Sequence, residues 1–140
     1  MTDDLIRRFL RARGVAAHVV EAGLDGLVTS WERLGAQVEA GYPLTIDDYL
    51  NDLDVRQIIE VVLSTMPTSD GRLLDRLRAA DNRMRAATVP AGRCVWGDGD
   101  SPSLTERRNW WYFLIPRNPG QHLAADLARA EFGGVSSTFD

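Results

Sequence analysis

The sequence contains no lysine, so all sixteen of its basic side chains are arginines. Without lysine the chain cannot form the Schiff base of a lysine-dependent or pyridoxal-phosphate enzyme, and it has no Walker A lysine or Ser-x-x-Lys nucleophile. Its only cysteine is Cys94, and its only histidines are His18 and His122. This set is too small for a cysteine/histidine zinc finger or a disulfide framework. We therefore predict no metal site, no cofactor and no catalytic residue.

Long apolar runs are also missing. No stretch reaches the ~18 apolar residues that read as a membrane span, so we expect no membrane partner. The N-terminal apolar residues are interrupted by Arg7, Arg8 and Arg11, unlike the unbroken apolar core of a signal peptide. Together with the single cysteine, this predicts a cytoplasmic protein. The arginine-only, alanine-rich composition is typical of a bacterial protein from a GC-rich genome.

The chain also lacks an excess of positive charge. Its formal net charge is −4, whereas a dedicated nucleic-acid-binding domain usually carries a basic face or stripe. We therefore do not expect nucleic acid to be the partner. A hydrophobic content of 44% in 140 residues is instead typical of one globular domain. We place this domain at 1–132, followed by a disordered polar tail at 133–140.

Helical spacing of apolar residues dominates the chain and predicts its fold class. In the clearest stretch, apolar residues step by four and three along one helical face: Val20, Leu24, Leu27, Trp31, Leu34 and Val38. Gly41 ends this helix, and Gly23 and Gly26 inside it predict a kink or a close helix contact. The same reasoning predicts helices over about 3–12, 45–66, 70–87 and 120–131. The stretch 58–63 is apolar on more than one side, so we expect it to be the most buried.

The composition changes after Gly92. Residues 93–96 and 110–115 have the aromatic and branched side chains of strands, and a loop composition separates them. We predict a small C-terminal β-hairpin from these two stretches, appended to a bundle of four to five helices. The alternative is a helix that begins at Thr105 and continues through the tryptophans.

The charges are divided unevenly between two neighbouring predicted helices. The helix over 45–66 is acidic and has Arg56 as its single basic residue, whereas the helix over 70–87 is rich in arginine. Because a short turn joins them, we expect antiparallel neighbours with complementary faces and local pairs such as Asp81–Arg85. The alternative is a pocket for an anionic small molecule, or a small active site, between these helices and residues 93–117. Its polar groups would be Asp54, Arg56, Asp81, Arg83 and Arg85.

Aromatic side chains crowd into the segment 93–117 and make it the leading candidate for a binding site. On a strand, Trp110 and Tyr112 would face one side and Trp111 and Phe113 the other. Either the rest of the chain covers both faces, or one row is exposed as a contact. Tryptophan, tyrosine and arginine dominate binding hot spots. The candidate binding residues are Arg93, Trp96, Arg107, Arg108, Trp110, Tyr112 and Arg117.

These observations together predict a protein that acts by binding. The expected partner is another protein or a second copy of the same chain, in a regulatory, immunity-like or antitoxin-like role. The alternative function is a small enzyme or anionic-ligand binder that uses the pocket described above.

Overall fold

The computed structural model describes residues 8, 11–12, 17–65, 69–92, 94–95, 105 and 107–130. Its elements, in chain order, are helices α1 (Ala17–Ala40), α2 (Ile46–Thr65) and α3 (Gly71–Ala86), strand β1 (Thr88–Pro90), a 3-10 helix (Trp110–Phe113), strand β2 (Leu114–Pro116) and helix α4 (Gln121–Ala130). The prediction of a mainly helical fold with a small antiparallel β element is confirmed. From the stretch predicted as helix 3–12, the described residues Arg8, Arg11 and Ala12 are helical. The rest of that stretch and the predicted tail at 133–140 lie outside the described residues.

Helix α1 contributes one continuous face to the core. The five apolar residues described on its predicted seam are all buried: Leu24, Leu27, Trp31, Leu34 and Val38. The predicted kink lies at Gly23, whose φ of 67° is in the left-handed region that glycine adopts without steric cost. Gly41 has a φ of 105° and directly follows the helix, as expected of a C-terminal glycine.

Side-chain caps determine where α2 and α3 begin. At α2 the Thr45 backbone N–H donates to Asp48 Oδ2 (3.2 Å) and the Asp48 N–H donates to Thr45 Oγ1 (3.4 Å), which is the predicted capping box. At α3 the Leu73 N–H donates to Asp70 Oδ1 (3.1 Å). Both helices pack against α1 and make few backbone contacts with each other. The expected close packing of α2 against α3 is therefore not formed, and their described contact is made by side chains.

The buried residues of helix α2 are spread from Tyr49 to Val62 and are not concentrated in 58–63. In that stretch Ile59 and Val62 are fully buried, but Ile58, Val61 and Leu63 are half-buried. Tyr49 and Leu53, nearer the start of the helix, also belong to the core. This distribution follows from its central place, since α2 contacts α1, the 3-10 helix and α4.

The two strands differ in position from the predicted hairpin. β1 and β2 pair antiparallel, with Val89 opposite Ile115, whereas residues 94–95 and 110–113 are not in strands. Pro90 ends β1, because a proline is tolerated in a short edge strand, where its missing N–H is not required. Trp110–Phe113 form a 3-10 helix because packing places the two consecutive indoles against the helices, which the alternation of a strand does not allow. A hydrogen-bonded turn precedes it, closed by the Asn109 N–H and the Thr105 carbonyl (2.7 Å).

Helix α4 closes the fold against the start of α2. Its Leu123 and Leu127 are buried, and Asp126 Oδ2 accepts a hydrogen bond from the Ile46 backbone N–H at the first turn of α2 (2.9 Å). Just before α4, the Gly120 N–H donates to the Tyr42 carbonyl (2.9 Å). No helix in the described part of the chain is long and apolar enough to cross a bilayer.

Candidate binding site

Trp110 and Trp111, in the 3-10 helix, connect the three long helices. The Trp110 ring meets Trp31 of α1 edge-on at 6.3 Å between centroids, and Trp111 at 5.5 Å. The guanidinium of Arg85 on α3 lies 4.0 Å from the Trp110 centroid, and that of Arg56 on α2 lies 4.6 Å from the Trp111 centroid. Such cation–π contacts contribute about 0.5–2 kcal/mol each, more when they are desolvated. We call Trp110–Phe113 the aromatic turn.

Arg56 is buried beneath the aromatic turn and is fully occupied by neighbours. Its Nε and Nη2 donate to the two carboxylate oxygens of Asp81 (2.9 and 3.0 Å), and its Nη1 donates to Glu60 (3.1 Å). Asp81 also accepts a hydrogen bond from Trp31 Nε1 (2.8 Å). This bidentate geometry is the strong form of an arginine–carboxylate contact.

Two arginines of α3 pair with acids of α1, and within the described residues no arginine of α3 pairs with an acid of α2. Arg76 contacts Asp25 (2.7 Å) and Glu32 (2.7 Å), and Arg83 contacts Glu39 (2.6 Å). Hydrogen bonding to Arg83 lowers the pKa of the Glu39 carboxyl. The prediction that the arginines over 70–87 face the acidic residues over 45–66 is therefore wrong, because Arg76 and Arg83 face α1 instead. The local pair Asp81–Arg85 is wrong too, because Asp81 binds Arg56 and Arg85 covers Trp110.

The predicted binding residue Tyr112 lies inside the protein. Only 3% of it is exposed, and its hydroxyl donates to Asp54 Oδ1 (2.6 Å). Trp111 is also buried, and its indole N–H has no acceptor within the described part of the chain. Trp110 and Phe113 are half-buried. Of the two alternatives, the one in which the rest of the chain covers the aromatic side chains therefore fits better, since no fully exposed aromatic row is formed at 110–113.

Among the predicted arginines, Arg107 and Arg108 are exposed immediately before the aromatic turn. Neither side chain forms an ion pair or a hydrogen bond within the described residues. Arg117 is exposed as well, but its Nη2 lies 3.5 Å from the Ala86 and Thr88 carbonyls. The other two candidates, Arg93 and Trp96, lie outside the described residues.

The structure adds a polar cleft next to Arg108 that sequence reasoning missed. The cleft lies between the C-terminal half of α2 and the turn 107–109, and its volume is about 310 Å³. We call it the polar cleft; its lining residues are Gln57, Glu60, Val61, Ser64, Thr65, Arg108 and Asn109. Only Arg108 was predicted. The others are ordinary polar residues of a helix and a turn, and no spacing in the sequence distinguishes them.

The five residues of the predicted alternative pocket do not line one common cavity, although Arg56 and Asp81 contact each other. Asp54 accepts from Tyr112, and Arg56 and Asp81 bind each other. Arg83 lines a crevice of about 350 Å³ between α1 and α3, together with Glu32, Gly35, Ala79 and Ala80. Among the described residues, no group of three histidine, cysteine or acidic side chains could hold a metal ion.

A groove of about 470 Å³ lies between α1 and α2. The residues that border it include Arg33, Leu34, Asp52 and Val55. Asp52 accepts a hydrogen bond from the hydroxyl of the buried Tyr42 (2.5 Å). Burial raises the pKa of Asp52, an effect that the Tyr42 hydrogen bond opposes and the nearby charge of Asp48 reinforces. Burial also raises the pKa of Tyr42, helped by Asp52.

Comparison of the chain with protein-family models, with curated proteins and with solved structures gives no match in any of the three.

Proposed function

We propose that the protein acts by binding a protein partner through the surface at the base of the aromatic turn. This contact surface consists of the exposed Arg107 and Arg108, the half-buried Trp110 and the mouth of the polar cleft. The observation that carries the proposal is that two arginines with no partner in the described part of the chain lie beside a tryptophan that the helices hold in place. On the composition of the chain, we place this role in the cytoplasm of a bacterium, as a regulatory or immunity-like protein.

Trp110 supports the proposal because its ring is partly accessible and is held in place by its neighbours. Trp31 contacts its edge and the Arg85 guanidinium covers one part of its face, so its ring loses little freedom when a partner binds. Tryptophan and arginine are the residue types enriched at binding hot spots, which are surrounded by contacts that exclude water. A partner that covers the half-buried indole and pairs with the two arginines would form such an arrangement.

A charge-reversal variant tests this proposal without disturbing the core. Tyr112→Ala would leave a cavity, whereas Arg107→Glu and Arg108→Glu change two exposed side chains that have no partner among the described residues. The matched control is Arg33→Glu with Arg72→Glu, because these arginines are also exposed and without an ion pair in the described residues. Both double variants change the net charge equally.

The measurement is affinity capture from the native lysate, followed by reconstitution of the captured protein in purified form. We expect the wild type and the control to retain the same partner, and the Arg107→Glu/Arg108→Glu variant to lose it. Equal retention by all three proteins would rule out this surface. Light scattering on each purified variant checks self-association: a wild-type dimer that this variant alone dissociates would identify a second copy as the partner.

A further inference from the structure

The polar cleft gives the proposed contact surface a specific chemistry. We propose that it receives the carboxylate side chain of an acidic segment in the partner protein. This inference rests on the proposed function, because it names the group that the contact surface binds.

Hydrogen-bond donors predominate among the free polar groups of the cleft. The guanidinium of Arg108 has no internal partner, and the hydroxyl groups of Ser64 and Thr65 make no hydrogen bond within the described residues. Gln57 uses its Oε1 to accept from Asn109 Nδ2 (2.9 Å), which leaves its own NH₂ group as a free donor. A ligand that accepts several hydrogen bonds therefore suits the cleft, and a carboxylate accepts up to about four.

The floor of the cleft is rigid before any ligand binds. Asn109 is buried, its Oδ1 accepts from the Thr105 N–H (3.2 Å), and its own N–H donates to the Thr105 carbonyl (2.7 Å). The Arg108 N–H donates to Thr105 Oγ1 (3.2 Å). These bonds fix the backbone that carries Arg108, so binding costs less ordering than it would on a free loop.

The charged residues that line the cleft favour a ligand group with one negative charge over a ligand group with two. Glu60 lies on its wall, and Arg56 neutralises this carboxylate in part through a 3.1 Å contact. Among the described lining residues, Arg108 then remains as the one cation without a partner, and Glu60 repels a second anionic charge. A phosphate group carries close to two negative charges at neutral pH, so a carboxylate is the better match.

The size of the cleft selects an acidic side chain over a cofactor. A volume of about 310 Å³ is at the lower limit of small-molecule sites, which span roughly 300–1,000 Å³. This space accommodates one or two side chains of an extended peptide.

The test is a nuclear magnetic resonance titration of the full chain with the peptide acetyl-Ala-Glu-Glu-Ala-amide. The matched probe is acetyl-Ala-Gln-Gln-Ala-amide, which has the same shape without the charge. We expect the glutamate peptide to shift the side-chain amide signals of Gln57 and Asn109 in a saturable manner and the glutamine peptide to leave them unchanged. Equal shifts with both peptides would overturn the proposal, as would no shift with either.

Two neighbouring arginines provide the matched variants. Arg108→Ala should weaken binding of the glutamate peptide at least about tenfold, because it removes charge-assisted hydrogen bonds. Arg107→Ala removes an equally exposed arginine that does not line the cleft, and should change the Kd by no more than about threefold. Equal weakening by both variants would indicate diffuse attraction and would refute the cleft as the site. Tighter binding of the corresponding phosphoserine peptide would replace the carboxylate with a phosphate and refute the charge argument.

A cleft-filling variant separates this inference from the proposed function. Ser64→Leu alters an exposed position on the cleft wall and leaves both arginines in place. If it retains the captured partner while Arg107→Glu/Arg108→Glu loses it, the contact surface is correct and the cleft is not the site. Loss of the partner by both supports both proposals, provided that the circular dichroism and the melting temperature of the Ser64→Leu protein match those of the wild type.

Discussion

The guanidinium of Arg56 and the carboxylate of Asp81 form two parallel hydrogen bonds that join α2 to α3. The arginine comes from the acidic helix and the carboxylate from the arginine-rich helix, which is the reverse of what their overall charges suggest. The side chains are only 7% and 13% exposed, so water screens the pair poorly. Since the helices make few direct backbone contacts, this pair and the aromatic turn are the main described links between them.

The Asp81→Ala variant should lose much of the stability of the fold. It leaves the buried Arg56 with only the partly exposed Glu60, and it removes the acceptor of the Trp31 indole N–H. Breaking a buried pair on one side costs about 3 kcal/mol or more of the free energy of unfolding. Urea denaturation followed by circular dichroism measures this loss.

The matched control is Asp75→Ala on the same helix. Asp75 pairs with Arg78 at 3.3 Å, but both side chains are more than 70% exposed, and we expect a change within about 0.5 kcal/mol. The double variant Arg56→Met/Asp81→Leu should recover part of the stability, because it leaves no unpaired buried charge. An Asp81→Ala protein as stable as the Asp75→Ala protein would contradict the structural role of the pair.

Gly120 should tolerate no side chain at all. A Cβ at this position would lie 2.3 Å from the Tyr42 carbonyl oxygen, a backbone atom that cannot move without displacing the start of α2. We expect Gly120→Ala to cost about 1–3 kcal/mol, the usual range for overpacking. At Gly71, a Cβ meets nothing within 4 Å, so Gly71→Ala at the start of α3 should stabilise the protein by up to about 1 kcal/mol. Thermal unfolding of the two variants should therefore shift in opposite directions.

The helices were predictable from the sequence because their apolar residues repeat with the helical period. The four-and-three spacing from Leu24 to Val38 places these residues on one face wherever the helix lies in the fold, so local information suffices. Gly23, Gly41 and the Thr45 cap act through their own backbone and neighbours, and they too were predicted correctly.

The tertiary pairings were not predictable in this way. β1 forms only because Val89 meets Ile115, which is far away in the sequence, and the strand propensity of Trp110–Phe113 was overridden by packing against the helices. The net charge of a helix does not determine which neighbour each charge contacts. Arg108 was found as a candidate because it flanks the aromatic residues, but the cleft that it lines exists only after α2 and the turn meet.

Two buried tyrosines should make the protein sensitive to alkali. Burial raises the pKa values of Tyr42 and Tyr49 above the ordinary value of about 10. The folded state therefore holds both protons at a pH where the unfolded state releases them. Stability is unaffected below about pH 10 and falls above it, by about 1.4 kcal/mol per pH unit for each tyrosine.

The variant Tyr49→Phe isolates one of these contributions. It should cost about 1 kcal/mol at neutral pH, because the hydroxyl donates to the Leu114 carbonyl (3.0 Å), but it should reduce the slope above pH 10. In an alkaline titration of the wild type, absorbance follows the ionisation of the tyrosines and circular dichroism follows unfolding. The ionisation of Tyr42 and Tyr49 should coincide with unfolding. Ionisation of both tyrosines without unfolding would contradict their burial.

Asp52 should produce a pH dependence in the acidic range. Because burial raises its pKa, the folded state binds this proton more tightly than the unfolded state does. Its favourable contribution is complete below the unfolded pKa of about 3.9 and is lost as the pH rises through the folded value. Asp52→Asn keeps an acceptor for the Tyr42 hydroxyl but cannot ionise, so the wild type should lose stability relative to this variant between acidic and neutral pH. Tyr42→Phe removes the hydrogen bond that opposes this shift, so it should raise the pKa of Asp52 further. A titration followed by the carboxyl-carbon magnetic resonance signal measures this pKa. An unchanged or lower value would show that the Tyr42 hydroxyl does not stabilise the ionised carboxylate.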